Sequence, residues 1–390
     1  MTAKYIGQAD FPVDYTFDGY KIGGLSGIDY DAATGQFITE SDHGADGSSN
    51  AYYTVTLDGL NSGNLAVTFQ SVTPLTHDDA ESIRYDPSGN GVWYTTEGNP
   101  SIYHVSADGT ITQATTPANI TAGAGWNTSF EGSTFTPNGD YIVSMERSLK
   151  NDAWEYSRFT TFDSNHQEVG QFVYKLDDVT NNGVSDILAL DNSHLLVMER
   201  NFDGNTDANG VSHNSIRIYE VDIDGAQNVE NIDQLTTDNS TPVSKTLIWN
   251  SADVAETLNT PADKIDNLEG MTFGPTLANG DASLILVNDD NYADDQIKTQ
   301  FVALDLDIVQ SGTQVLSGET NTVSAGAFSI SATVLSGGTL NITSGGIGSA
   351  TMVDAGGLIS VSGSLSTATV SGGEVDVFSG GVVSAASVTD

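Results

Sequence analysis

The chain has 390 residues and a formal charge of −40, from 52 acidic against 12 basic side chains. That balance repels nucleic acid and anionic lipid, and no apolar run is long enough for a transmembrane segment. With no cysteine, disulfides and thiolate metal sites are excluded, and the length exceeds what one hydrophobic core fills, so two domains or a repeat domain with an extension are expected.

The opening MTAKYIGQADF has no apolar core of signal-peptide length, so export would use a route without a cleaved leader or start from a trimmed chain. Five segments then share one grammar: GLSGIDYDAATGQFITESD from Gly24, ESIRYDPSGNGVWYTTEG from Glu81, FEGSTFTPNGDYIVSMER from Phe130, VSDILALDNSHLLVMER from Val184 and LEGMTFGPTLANGDASLILVNDD from Leu268. Each alternates apolar and polar positions, turns at Asp, Pro, Asn or Gly, and runs into a second strand that ends at an acid, the pattern of paired antiparallel strands. Two more strand patterns follow most pairs, such as AYYTVTLD and LAVTFQSV after the first, and four strands per unit make a propeller blade.

Ser26, Glu81, Glu131, Asp186 and Glu269 are read as equivalent positions. The last step is the longest because two polar insertions, from Asn201 and from Asp224, read as surface loops. The fifth unit supplies three strands, ending at TQFVALDLDI, and AKYIGQADF at the N-terminus is expected to add the fourth and close the ring. Five blades are expected over residues 1–308, six if the long fourth step hides another. From about Val309 charge nearly vanishes, and Gly-Gly or Gly-Ser doublets recur among regularly placed Val, Leu and Ile. Residues 309–390 are therefore expected to form a Gly/Ser-rich parallel β-solenoid, a disordered linker being the alternative, and the pattern is expected to continue beyond Asp390.

In a closed ring, acids at equivalent positions gather around the axis. Inner-strand Glu81, Glu131, Asp186 and Glu269, with Glu97, Glu146, Glu199 and Asp289 at the ends of second strands beside Asp42, would repel one another unless protonated, paired or bridged by a cation. Hard oxygen donors favour calcium, then magnesium. The structural alternative is that these acids cap backbone amides or pair with Arg84, Arg147 and Arg200. The same arginines would steady charge developing on an anionic substrate, and His43 beside Asp42, or His77 beside Asp78, is a candidate base. Alternating oxygens from Asp203 to Asn209, and the acid-rich stretches 42–50 and 288–295, are candidate calcium loops, although a helix-loop-helix site lacks its twelfth-position Glu. Ser26 is not in a G-x-S-x-G elbow, which argues against acyl-enzyme chemistry.

GLSGIDYD, SFEGSTFTPNGDYIVSMER, VSDILALDNSHLLVMER, and LEGMTFGP followed by LVNDDN and TQFVALDLD resemble, across about residues 5–307, the bacterial β-propeller family described as phytase-like with esterase-like activity. The tail resembles the β-helical passenger repeats of autotransporter adhesins. The resemblance implies a propeller fold, an extracytoplasmic setting and a hydrolase of phosphate or other esters; together with the acidic rim it leads to the expectation of an extracellular or cell-surface, secreted, calcium-dependent hydrolase of small-molecule phosphate esters or related esters. The shortage of basic residues weighs against so anionic a substrate as inositol hexaphosphate. The other reading is a non-catalytic binding or adhesion module, with the propeller as ligand-binding head and the repeats as a stalk on the cell surface.

Overall fold

The computed structural model describes residues 1–43, 50–77, 79–177, 181–206, 212–254, 265–292, 298–309, 314–323, 328–330, 332–349, 351–384 and 386–389, with backbone alone at 202–206, 212, 213, 309, 328 and 330. It divides into two compact units, Tyr5–Phe273 with Ile285–Ala303, and Met1–Lys4 with Gly274–Leu284 and Leu304–Asp390.

The fold is a five-bladed β-propeller and a parallel β-solenoid. Blade 1 is Leu25–Asp31, Gln36–Ser41, Ala51–Asp58 and Ala66–Pro74; blade 2 is Ala80–Tyr85, Val92–Thr96, Ser101–Val105 and Ile111–Ala114. Blade 3 is Phe130–Phe135, Tyr141–Met145, Tyr156–Phe162 and Glu168–Lys175; blade 4 is Asn182–Ala189, His194–Thr206, Ser212–Asp222 and Ser244–Asn250. Blade 5 runs from Leu268–Phe273 through Asp281–Asn288 to Lys298–Val309, and the N-terminal strand Ala3–Pro12 pairs with the last of these, as the missing fourth strand was expected to. Each inner strand lies beside those of the preceding and following blades, blade 5 beside blade 1, so the ring is closed.

Alternation along the strands puts one apolar face against each neighbouring blade. Ile38, Ile83 and Tyr94 fill the layer between blades 1 and 2, Trp93, Phe130 and Tyr141 that between 2 and 3, and Ile142, Phe159, Ile187 and Val197 that between 3 and 4. Each such fully buried side chain contributes about 1.5–3 kcal/mol of transfer free energy. Among the described residues no sixth blade occupies the long fourth step. The insertion from Asp224 folds back as a loop whose Val229 and Leu235 pack on Tyr156 and Val173. There the fully buried Arg158 binds Asp152 at 2.7 Å and the carbonyls of Val229 and Ile232. The insertion from Asn201, expected as a surface loop, instead prolongs the two central strands of blade 4 to Thr206 and from Ser212.

Near its start each inner strand of blades 1 to 4 changes register against the second strand, between Leu25 and Gly27, Ala80 and Ser82, Phe130 and Ser133, and Val184 and Asp186. Such a β-bulge re-aims the inserted side chain. Below the bulges the inner strands nearly touch. A Cβ on Gly132 would lie 2.5 Å from Ile187 N, and one on Gly27 2.7 Å from Ile83 N.

Across this level lies the side chain of Arg84. Its Nε donates to Ser133 O at 2.6 Å, its Nη1 to Ile28 O at 2.5 Å and Met271 O at 3.1 Å, and its Nη2 to Asp186 at 2.8 and 2.9 Å and to Ile187 O at 3.1 Å. One guanidinium therefore ties its own blade to the four others.

The solenoid stacks short strands in three parallel sheets, for example Thr320–Val323, Thr339–Ile342, Leu358–Val361 and Glu374–Val377. Inward positions are small and apolar, including Val334, Leu340, Ile342, Val353, Ile359 and Val361. The glycine doublets turn the corners: Gly337 takes φ +81°, and a Cβ on Gly338 would collide with the Val315 carbonyl of the coil below.

Candidate active site at the axial mouth

All five inner strands start, and all five second strands finish, at one end of the ring, which creates two tiers of side chains there. The first tier is the bulge position: Ser26, Glu81, Glu131 and Ser185, with Glu269 in blade 5. The second tier follows each second strand and is fixed by a backbone bond to the residue before the inner strand. These bonds are Asp42 N to Gly24 O at 2.8 Å, Glu97 N to Asp79 O at 2.9 Å, Glu146 N to Ser129 O at 2.6 Å and Asp289 N to Asn267 O at 3.0 Å. In blade 4 the residue paired with the corresponding Gly183 is Arg200, so a cation stands where the other blades place an acid.

Ligand-capable oxygens of Asp79, Glu81 and Glu97 lie within 4.8 Å of one another, as do those of Glu97, Glu131 and Glu146. Glu97 accepts from Ser129 N at 3.1 Å. Glu146 meets Arg147 at 3.4 Å and Arg200 at 3.5 Å. Glu269 meets Arg200 at 3.3 Å and accepts from Asn267 and Ser26. Asp289 accepts from Asn291 N at 2.6 Å. Glu81 and Glu131 are different: only 7% and 4% exposed, neither carboxylate has a hydrogen-bond or ion-pair partner among the described residues.

Electrostatics follow from this crowding. Burial, then mutual repulsion, pushes Glu81 and Glu131 well above the ordinary glutamate range. Burial and then Glu146 push Glu97 up to about 8. Burial pushes Glu269 up to about 7 against the pull of Arg200, and burial with Glu269 beside it pushes Asp289 well up. Buried, sulfur-free carboxylates of this kind suit a hard divalent cation, which would relieve the repulsion and partner Glu81 and Glu131.

At the edge of the mouth the His43 imidazole is hydrogen-bonded through Nδ1 to Asp42, whose backbone carbonyl receives Asp79 N at 2.8 Å. The bond to Asp42 raises the His43 pKa, and Tyr292 packs edge-on against the ring at 5.5 Å. Exposed Trp126, on the loop entering blade 3, and Trp154, between its second and third strands, rise at this same end.

Four expected site residues stand elsewhere. Asp186 is one residue past the bulge, so it points at Arg84 inside the ring, accepts from Met271 N at 2.7 Å and does not reach the acid cluster. Arg84, engaged by backbone and Asp186 and 2% exposed, is not available to a substrate. Glu199 is one residue short of the second tier and lies between blades, bound at 2.5 Å to Tyr174 Oη, Asn182 and Lys245. His77 also serves packing, stacked on Tyr103 at 3.8 Å and bonded to Tyr94. Conversely, Asp79 was missed, although the run DDAE already placed it two residues before Glu81. Of the candidate calcium loops, residues 203–210, 44–49 and 293–295 lie outside the described residues or side chains; of the acids described in the other two stretches, Asp42 holds His43, and Asp290 accepts from Gly24 N at 3.0 Å and Thr299 Oγ1 at 3.1 Å.

A family model, Phytase-like: Esterase-like activity of phytase, matches residues 20–292. No curated protein matches the chain. Among solved structures the chain is similar to a catalytically inactive virginiamycin B lyase from Staphylococcus aureus with quinupristin, at 12% identity and TM-score 0.34, over 78% of this chain and 99% of that one. It is also similar to the N-terminal domain of Nup159, at 12% and 0.34 over 78% and 96%, and to a chain of the nidogen/laminin complex, at 10% and 0.35 over 73% and 86%.

Proposed function

The chain belongs to the phytase-like family, and from that membership and the axial mouth we propose that it hydrolyses phosphate esters or related small-molecule esters with a divalent cation, calcium by preference, held by the mouth carboxylates. The observation that carries this reading is the convergence of Asp79, Glu81, Glu97, Glu131 and Glu146, with Glu81 and Glu131 lacking a hydrogen-bond or ion-pair partner among the described residues. When bound, such a cation polarises an ester oxygen and lowers the pKa of water.

The chain's own groups supply the rest. Arg200 and the half-exposed Arg147 face the anionic oxygens of the substrate. A mouth carboxylate takes the proton of the attacking water as its oxygen bonds to phosphorus or the acyl carbon. The ester bond breaks, and protonated His43, oriented by Asp42, gives its proton to the departing alkoxide. With two arginines at the mouth, singly charged esters are favoured over inositol hexaphosphate, and Trp126 and Trp154 offer flat apolar surface to the organic portion. The setting we propose is extracellular, with the solenoid associating the enzyme with the cell surface.

The test is turnover of phosphomonoesters, phytate and short acyl esters by the purified chain, in calcium and in chelator. Calcium-dependent turnover of at least one class is expected, falling on the order of 100-fold or more in Arg200→Met, the scale at which charge-stabilising groups act. Silence on every class in calcium would overturn the proposal.

A further inference from the structure

We propose that the mouth holds two divalent cations, with Glu97 shared between them: one among Asp79, Glu81 and Glu97, the other among Glu97, Glu131 and Glu146. The inference rests on the cation reading above and adds the number and arrangement of the ions. It starts from the fact that the converging oxygens form two sets with a single carboxylate in common.

Each set contains its own evidence for an occupant. The first includes Glu81 and the second Glu131, both more than nine-tenths buried, aimed into their set and without a hydrogen-bond or ion-pair partner among the described residues. A single ion in either set would leave the other's buried carboxyl with neither a ligand nor a hydrogen-bond partner among the described residues, which is unfavourable for a polar group in a low-dielectric site. Glu97 is suited to sharing: Ser129 N occupies one lone pair of Oε1, and an ionised carboxylate has about four acceptor positions.

The two sets differ in charge. Arg200 and Arg147 both engage Glu146, so the second set is partly neutralised. Among the described residues neither Asp79 nor Glu81 has an arginine or lysine beside it. The Asp79–Glu81–Glu97 set therefore binds the tighter ion and the Glu97–Glu131–Glu146 set the weaker, with the guanidiniums beside it. Bound there, two such ions would supply a polarised water and a counter-charge for the substrate's anionic oxygens, beside Arg147 and Arg200.

Calorimetric titration of the full chain with calcium chloride tests this, after chelator stripping and at about 0.15 M salt to screen the diffuse surface charge. Sites are counted as the difference from the Glu81→Gln/Glu97→Gln/Glu131→Gln triple variant, which subtracts ions bound elsewhere. The wild type is expected to show two additional ions of unequal affinity. Glu81→Gln should lose the tighter, Glu131→Gln the weaker, and Glu97→Gln should weaken both at least 10-fold. In chelator the glutamine variants should melt no lower than the wild type, because they remove repulsion, which separates ligand loss from misfolding. One additional ion with calcium-dependent turnover would overturn the paired arrangement and leave the hydrolase reading standing. No additional ion would overturn both the paired arrangement and the cation's role. Glu97→Gln weakening one ion alone would overturn the sharing.

Discussion

Asp186 and Arg84 show how one residue's position decides its role. The pair is buried, and the guanidinium reaches the backbone of blades 1, 3, 4 and 5. Replacing Arg84 with Met keeps much of its volume but strands the Asp186 carboxylate without its cation, a loss on the order of 3–5 kcal/mol. Urea unfolding of Arg84→Met at neutral pH is expected to show it, and Arg84→Met/Asp186→Leu should recover part of the deficit. The error in reading blade 4 has a physical origin. Counting from the acid aligns Asp186 with Glu81 and Glu199 with Glu97, whereas counting from the buried apolar residue aligns Ile187 with Ile28, Ile83 and Met271. The second choice puts Ser185 at the bulge and Arg200 in the second tier, as observed. Side chains on a strand alternate, so a slip of one residue sends each to the opposite face.

At the level of strands, contact between neighbouring backbones is what excludes side chains. Gly132 faces Ile187 N and the Asp186 backbone, none of which can turn aside as a flexible side chain would. Gly132→Ala is therefore expected to destabilise by about 1–3 kcal/mol, the usual cost of overpacking, measured as a lower melting temperature with the oligomeric state unchanged. The hairpins, the closing N-terminal strand and the solenoid corners were legible because period-two alternation and glycine doublets are local signals. The bulges were not, since inserting one residue changes the aim of a side chain without changing the apolar pattern around it. For that reason ring closure alone brings Glu81, Glu97, Glu131, Glu146, Glu269 and Asp289 to one end of the propeller, while which carboxylates share a point had to come from coordinates.

Over the whole molecule, part of the charge of −40 is gathered at the mouth, where acids of neighbouring blades crowd together. The raised pKa values of Glu97 and Glu269 mean that the folded chain without cation keeps protons that the unfolded chain releases. Their contribution to stability is present below the ordinary glutamate value of about 4.5 and is lost as pH rises through about 7 and then about 8. In chelator the melting temperature is expected to fall between pH 4.5 and 8. Saturating calcium should remove most of that fall, because a ligand bound only to the native state stabilises it. A melting temperature flat across this range in chelator would mean the mouth acids find other compensation. The Arg84 crossing also gives the propeller a topological character. With a guanidinium bonded to the backbone of the four other blades, the axis is spanned at that level, and the carboxylates of the mouth stand to one side of it. Under the hydrolase reading proposed above, a long polymer would not thread such an axis, and the substrate would be a chain end or a pendant group that dips in and withdraws.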